Sequence, residues 1–137
     1  MSKTLVDTLI RHEGLRRFPY RDSVGKLTIG IGRNLDDMGL TEEEARCLLA
    51  NDIRRVKDEL NRCFPWIADL DRVRQEVLIN MAFNLGLPRL CTFRNMLTAL
   101  RDGDYLRAAD EMLDSRWAEQ VEGRAHELAE MMCRGEQ

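Results

Sequence analysis

The sequence predicts an α+β fold, mostly helical, with a small β-lobe near the N-terminus and a larger all-helical lobe joined to it by a long helix. Three observations predict it. Apolar residues recur at helical spacing over residues 3–12, and again almost without a break after residue 41. Between those stretches, residues 18–35 change to short β-type runs separated by turn residues. The 137 residues contain no internal repeat, low-complexity run or linker. One domain is therefore expected, with the small lobe at about 13–45 and the helical lobe at about 60–137 together with the N-terminal helix.

The first helix places Leu5, Val6, Leu9 and Ile10 on one face and stops at Gly14, which leaves Glu13 at its end. Phe18-Pro19-Tyr20 and residues 27–32 read as short strands around the turn-like Asp22-Ser23-Val24-Gly25, so Asp22 lies at or beside the turn. Gly30 and Gly32 alternate with Ile29 and Ile31. One strand face is then expected to be nearly bare and open to another backbone or a ligand.

Thr41 followed by Glu44 reads as a capping box. It opens a helix whose apolar face runs through Ala45, Leu48, Leu49, Ile53, Val56 and Leu60 and ends near Pro65. Residues 72–85 form the most apolar helix, with Val77, Leu78, Met81, Ala82 and Leu85, and mark the centre of the larger lobe; Gly86 and Pro88 end it. Shorter helices are expected at 93–100, 105–113, 115–117 and 123–133.

Composition removes several function classes. Charged residues make up 33% of the chain, and no apolar run approaches the roughly 20 residues of a membrane-spanning helix. The first residues also lack a secretory leader, because Lys3, Asp7, Arg11, His12 and Glu13 interrupt the stretch where its apolar segment would sit. Neither stable membrane association nor export by a leader is expected. Cys47, Cys63, Cys91 and Cys133 stand far apart with only two histidines, so no zinc-type cluster exists and no metal or cofactor is expected. The cysteines read as free, mainly core-filling thiols, with pairing under oxidising conditions left open.

The glycines around residue 30 lack the spacing of a nucleotide-binding loop. A net charge of −3 with two Trp and two Tyr offers no basic aromatic surface for nucleic acid. Residues 1–35 alone hold seven Lys and Arg against three acids, a local excess suited to an anionic polymer.

Glycosidic cleavage usually needs one carboxylic acid to protonate the leaving oxygen and a carboxylate on the other side of the sugar. Glu13 at a helix end and Asp22 at a turn fit that need. A hydroxyl such as that of Thr28 can donate to Asp22 while accepting from a water, which orients the attacking lone pair. Spacing alone does not single out two of 24 acids. Their flanks do.

Arg11-His12-Glu13-Gly14-Leu15-Arg16, Tyr20-Arg21-Asp22-Ser23-Val24-Gly25 and Leu27-Thr28-Ile29-Gly30-Ile31-Gly32 resemble the opening of the phage-type lysozymes, the endolysins of glycoside hydrolase family 24. The resemblance resumes at residues 80–86 and 115–125 in the same order. It implies a muramidase that cuts the β-1,4 bond between N-acetylmuramic acid and N-acetylglucosamine in bacterial peptidoglycan, with inversion, for host cell lysis. It also implies Glu13 as general acid, Asp22 as the carboxylate that assists water, and Thr28 as the hydroxyl holding that water.

Arg124 matches an arginine that pairs with the acid, and Phe83, Asn84 and Gln120 match positions along the sugar-binding cleft. Phe83 serves equally well as a core aromatic, and Arg124 out of context is a surface arginine. His12, adjacent to Glu13 on a helix, points elsewhere and is not read as catalytic. The family further implies a monomer held in the host cytoplasm until a separate holin-type pore releases it to the periplasm or cell wall.

Three departures from the family pattern stand out. Arg33 replaces the usual histidine after the Gly-x-Gly segment, residues 34–41 are short, and little chain follows Cys133 to anchor the last helix. Rival readings are a lytic transglycosylase, which commonly dispenses with the second carboxylate, a helical adaptor or nucleic-acid-binding protein, and an inactive relic that only binds peptidoglycan.

Overall fold

A computed structural model describes residues 2–136. In chain order it contains α1 (Lys3–Glu13), β1 (Arg16–Arg21), β2 (Leu27–Gly30), β3 (Arg33–Asn34) and α2 (Glu42–Cys63). A 3-10 turn (Pro65–Asp69) then leads to α3 (Arg72–Leu85), α4 (Leu87–Leu90), α5 (Arg94–Arg101), α6 (Tyr105–Leu113) and α7 (Arg116–Arg134). This is the predicted α+β class, with strands confined to the N-terminal part. The chain divides into two compact units, Met1–Leu48 and Leu49–Gln137. By its contacts α1 groups with the first unit, where the apolar stripe had suggested the helical lobe.

In the first unit Ser2 caps α1, its side chain accepting from the Leu5 amide. Gly14, at φ 80°, releases the chain after Glu13. The three strands form an antiparallel sheet in the order β1-β2-β3, with Tyr20 opposite Thr28 and Thr28 opposite Asn34. Pro19 is tolerated because β1 is an edge strand.

Gly30 and Gly32 correct the expected bare strand face. Both have positive φ, 71° and 69°; Gly30 closes β2 opposite Arg16, and Gly32 with Ile31 forms the turn to β3 rather than continuing a strand. The capping box at the start of α2 is present as predicted: the Thr41 amide donates to Glu44 Oε1 at 2.9 Å and the Glu44 amide to Thr41 Oγ1 at 3.0 Å. Arg33, the departure from histidine, also grips Glu44 through two bonds of 2.7 and 2.5 Å and donates to the Gly39 carbonyl. The arginine therefore ties β3 to the first turn of α2. It holds the Glu44 carboxyl down at about 2, its side-chain bonds outweighing burial.

The second unit contains the apolar core. Leu60, Val77, Leu78, Met81, Leu90, Met96, Leu100, Met112 and Met132 are almost completely enclosed. The predicted limits of α3 hold at both ends. Pro88 does not stop the helical path, because it occupies the first turn of α4, where its missing N–H would have no partner. The two short helices expected at the C-terminus are the two segments of α7, which meet at non-helical backbone at Val121 (φ −121°, ψ 21°) and are each longer than expected.

That last helix is firmly anchored. The Arg74 guanidinium donates to the Met132 and Cys133 carbonyls, stacks 3.4 Å from the Tyr105 ring and pairs with Asp71. Asp71 in turn accepts from the Glu136 amide. Burial alone would raise the Asp71 pKa, but these donors together hold it below its usual value.

The cysteines depart from expectation. Cys47, Cys63 and Cys133 are exposed and only Cys91 is partly enclosed, so they do not fill the core. Their helices present them outward while leucine and methionine take the interior. No helix among the described residues is long and apolar enough to cross a membrane.

Candidate active site

The first unit brings Glu13, Asp22 and Thr28 onto its smallest elements. Glu13 is the last residue of α1, and its side chain lies over the Gly32 backbone. A Cβ at Gly32 would stand 2.8 Å from Glu13 Oε2, so a side chain there would push the Glu13 carboxylate aside and would also strain a φ of 69°. Close approach to a glycine backbone does occur as the sequence suggested, but to a turn glycine and by the candidate acid itself.

Asp22 follows β1 directly and organises the turn to β2. Its Oδ1 accepts from the Val24 amide at 3.0 Å and the Lys26 amide at 2.8 Å. Its own amide donates to the Lys26 carbonyl at 2.9 Å. Both side-chain bonds fall on Oδ1, so the carboxylate is fixed in orientation while Oδ2 takes no part in them.

Thr28 is buried, the sole residue of the first unit enclosed to that degree among those described. Its hydroxyl donates to the Lys26 carbonyl at 2.9 Å, not to Asp22 as the sequence reading had it. The reason is local: the turn brings the Lys26 backbone between the two side chains, its N–H facing Asp22 and its C=O facing Thr28. Asp22 and Thr28 are thus coupled through the backbone of one residue. The lone pairs of the Thr28 oxygen stay available as acceptors.

Residues 10–135 match the phage lysozyme family. The chain belongs to that family. Over 96% of its length it is 30% identical to the pre-baseplate central spike protein Gp5 of Enterobacteria phage T4, of which it spans only 28%. A probable T4-type lysozyme 1 of Dictyostelium discoideum is 26% identical over 98% of the chain and 96% of that protein. An endolysin of Acyrthosiphon pisum secondary endosymbiont phage 1 is 30% identical, with coverage of 90% and 84%. This lysozyme is accordingly a glycoside hydrolase that lyses peptidoglycan, and the adaptor reading falls away.

The other residues that the sequence singled out, Arg124, Phe83, Asn84 and Gln120, belong to the second unit. The Arg124 guanidinium is bound to α3, its Nε donating to Asn80 Oδ1 at 2.9 Å and its Nη2 to the same oxygen at 2.6 Å. Asn80 is a partner the sequence did not reveal; an asparagine on the polar side of an apolar helix gives no sign of which distant residue it will meet.

Phe83 is 46% exposed, which removes the reading of a plain core aromatic. It borders a hollow of about 420 Å³ in which Ile53, Ile79, Leu128 and Met131 supply the apolar wall and Asn80 and Arg124 a polar edge. Asn84 is exposed, and its Oδ1 accepts from Trp117 Nε1 at 2.7 Å, which leaves the amide NH2 to face outward. Gln120 is exposed on α7, one residue before the kink. Gly32 and the Lys26 peptide are the parts of the site that sequence reasoning missed, because their contribution is backbone geometry and leaves no side-chain signature. Among the described residues no group of His, Cys, Asp and Glu converges to hold a metal ion.

Proposed function

We propose that this lysozyme hydrolyses the β-1,4 bond between N-acetylmuramic acid and N-acetylglucosamine with inversion, and that it serves host cell lysis. Glu13 donates the proton to the leaving oxygen. Asp22, with Oδ1 engaged by the turn, uses Oδ2 to take the proton of the attacking water, and Thr28 Oγ1 helps to hold that water. The observation that carries the reading is the Asp22–Lys26–Thr28 arrangement. A carboxylate fixed through one oxygen and coupled to a hydroxyl through the backbone of a single residue is suited to positioning water rather than to bonding the sugar. Phe83, Asn84 and Gln120 are assigned to the glycan. The protein is taken to act as a monomer, kept in the host cytoplasm until a holin-type pore releases it to the wall.

The test is clearance of purified peptidoglycan by wild type beside Glu13→Gln and Asp22→Asn, each expected to lose about 10²–10⁴-fold in rate because general acid–base assistance is removed. Product anomers followed by NMR report inversion or retention. Muropeptide masses lacking the added water would mean a transglycosylase and would overturn the reading. Wild-type binding without any product would mean an inactive relic.

A further inference from the structure

The hairpin that carries Asp22 has an outer surface which the chemistry above does not use. Residues 15–26 contain four cations, Arg16, Arg17, Arg21 and Lys26, against Asp22 alone. Arg21 pairs with Asp36 and Lys26 with Asp37. Arg16 and Arg17 have no ion pair among the described residues. Each is held instead against an aromatic ring of its own strand, Arg16 4.5 Å from Tyr20 and Arg17 5.8 Å from Phe18. A ring face holds a guanidinium without engaging its N–H donors, which stay open to an anion. Leu15 and Phe18 flank the two arginines and are themselves 60% and 74% exposed. The free edge of β1 is ill suited to adding another strand, since Pro19 has no N–H and the register with β2 shifts between Arg16 and Tyr20. Side chains, not backbone, are what this surface offers.

We propose that this surface, Arg16 and Arg17 between Leu15 and Phe18, docks the lysozyme on an anionic phospholipid bilayer. Charge complementarity selects the head groups, because two unpaired guanidinium groups can each donate to lipid phosphate oxygens. The apolar flanks select a bilayer over a free polyanion. Phosphate alone gives Leu15 and Phe18 no apolar partner, whereas the boundary between head groups and acyl chains accepts an apolar side chain beside a cation. The contact is peripheral: it uses no spanning helix, and its electrostatic part weakens as salt is raised. It is independent of which residues cleave the glycan, since none of the four takes part in the chemistry proposed above. Under the retention before release proposed above, docking keeps the enzyme beside the barrier it has to cross.

Sedimentation of the full chain with vesicles tests this. Wild type should pellet with vesicles of phosphatidylglycerol and phosphatidylethanolamine, stay in solution with neutral phosphatidylcholine, and be released by salt. The pair Arg16→Gln and Arg17→Gln should lower partitioning about 25-fold, at roughly fivefold for each cation beside an anionic surface. Phe18→Ser should lower it about tenfold. Arg101→Gln with Arg107→Gln, which removes the same charge from exposed positions of α5 and α6, should leave it unchanged. In Phe18→Trp, lipids brominated on their acyl chains should quench a tryptophan emission that wild type lacks. Clearance of lipid-free peptidoglycan should match wild type in every variant, which separates this test from that of the catalytic residues. No binding to anionic vesicles, equal binding to neutral ones, or an equal loss in the Arg101 and Arg107 control would each overturn the proposal. An unquenched Phe18→Trp, or a Phe18→Ser that binds as wild type does, would mean a site for free polyanions and overturn it too. Loss of wall clearance in the arginine pair would assign the surface to the glycan instead. Every substituted side chain is exposed, and circular dichroism checks that each variant is folded.

Discussion

The two units of this lysozyme are held together by different physics. Every apolar side chain of the enclosed core, from Val56 to Met132, belongs to the second unit; among its described residues the first unit encloses Thr28 alone. The first is kept in shape by turns, by five glycines at positive φ and by polar ties such as Arg33–Glu44, Arg21–Asp36 and Lys26–Asp37. It also carries the candidate acid, base and hydroxyl. The proposed chemistry is thus mounted on the unit with the least hydrophobic support, where position depends on a few hydrogen bonds, while the large core belongs to the other unit.

The contrast can be broken most easily at its strongest point. Leu78→Ala, in the centre of the core, should cost about 2–5 kcal/mol in urea unfolding. Leu9→Ala on the exposed face of α1 should cost less than about 1 kcal/mol. Equal losses would mean that the first unit has an apolar support of its own. Gly32→Ala should reverse the balance. A side chain at φ 69° facing Glu13 costs about 1–2 kcal/mol in stability, yet displacing the acid should lower wall clearance by about tenfold or more. A Gly32→Ala enzyme with full activity would show that Glu13 is not held by this contact.

Thr28→Val keeps the shape and removes one donor. Leaving the Lys26 carbonyl without that bond should cost about 1 kcal/mol, with a loss of activity that Thr28→Ser does not share. Unchanged activity in the valine variant would detach Thr28 from the chemistry.

The smallest effect concerns pH. Glu44 has a folded pKa of about 2 against an ordinary 4.5, so the Arg33 tie contributes stability above about pH 4.5. That contribution is lost as pH falls from there through 2. Glu44→Gln should flatten the stability profile over this interval and leave the rest unchanged. A profile identical to that of wild type would show that the tie contributes nothing.

Elements governed by local chemistry were legible in the sequence. The limits of α3, the Thr41–Glu44 box and the place of Glu13 at a helix end each follow from residues within a turn of one another. Gly30 and Gly32 were read by strand alternation, yet two positive-φ residues in a span of three make a turn. Pro88 was read as a stop because proline interrupts helices, whereas here it starts one. The bond from Thr28 to Lys26 and the bond from Arg124 to Asn80 depend on where a turn or a distant helix places a peptide or an amide, and hydrophobic pattern does not encode that. The cysteines were misplaced because burial tendency describes an average residue, whereas the helix face chosen by neighbouring leucines decides the particular one.

Arg74 has a consequence for the order in which structure forms. A helix end usually finds its cap within a few residues, but the last turn of α7 takes its donors from a side chain 58 and 59 positions earlier, over Gly135, where any Cβ would collide with the guanidinium. That turn cannot close until α3 is already in place, which makes it a late, non-local step in folding. Once closed, its amides should exchange with solvent in step with the core of α3 and not as a fraying terminus.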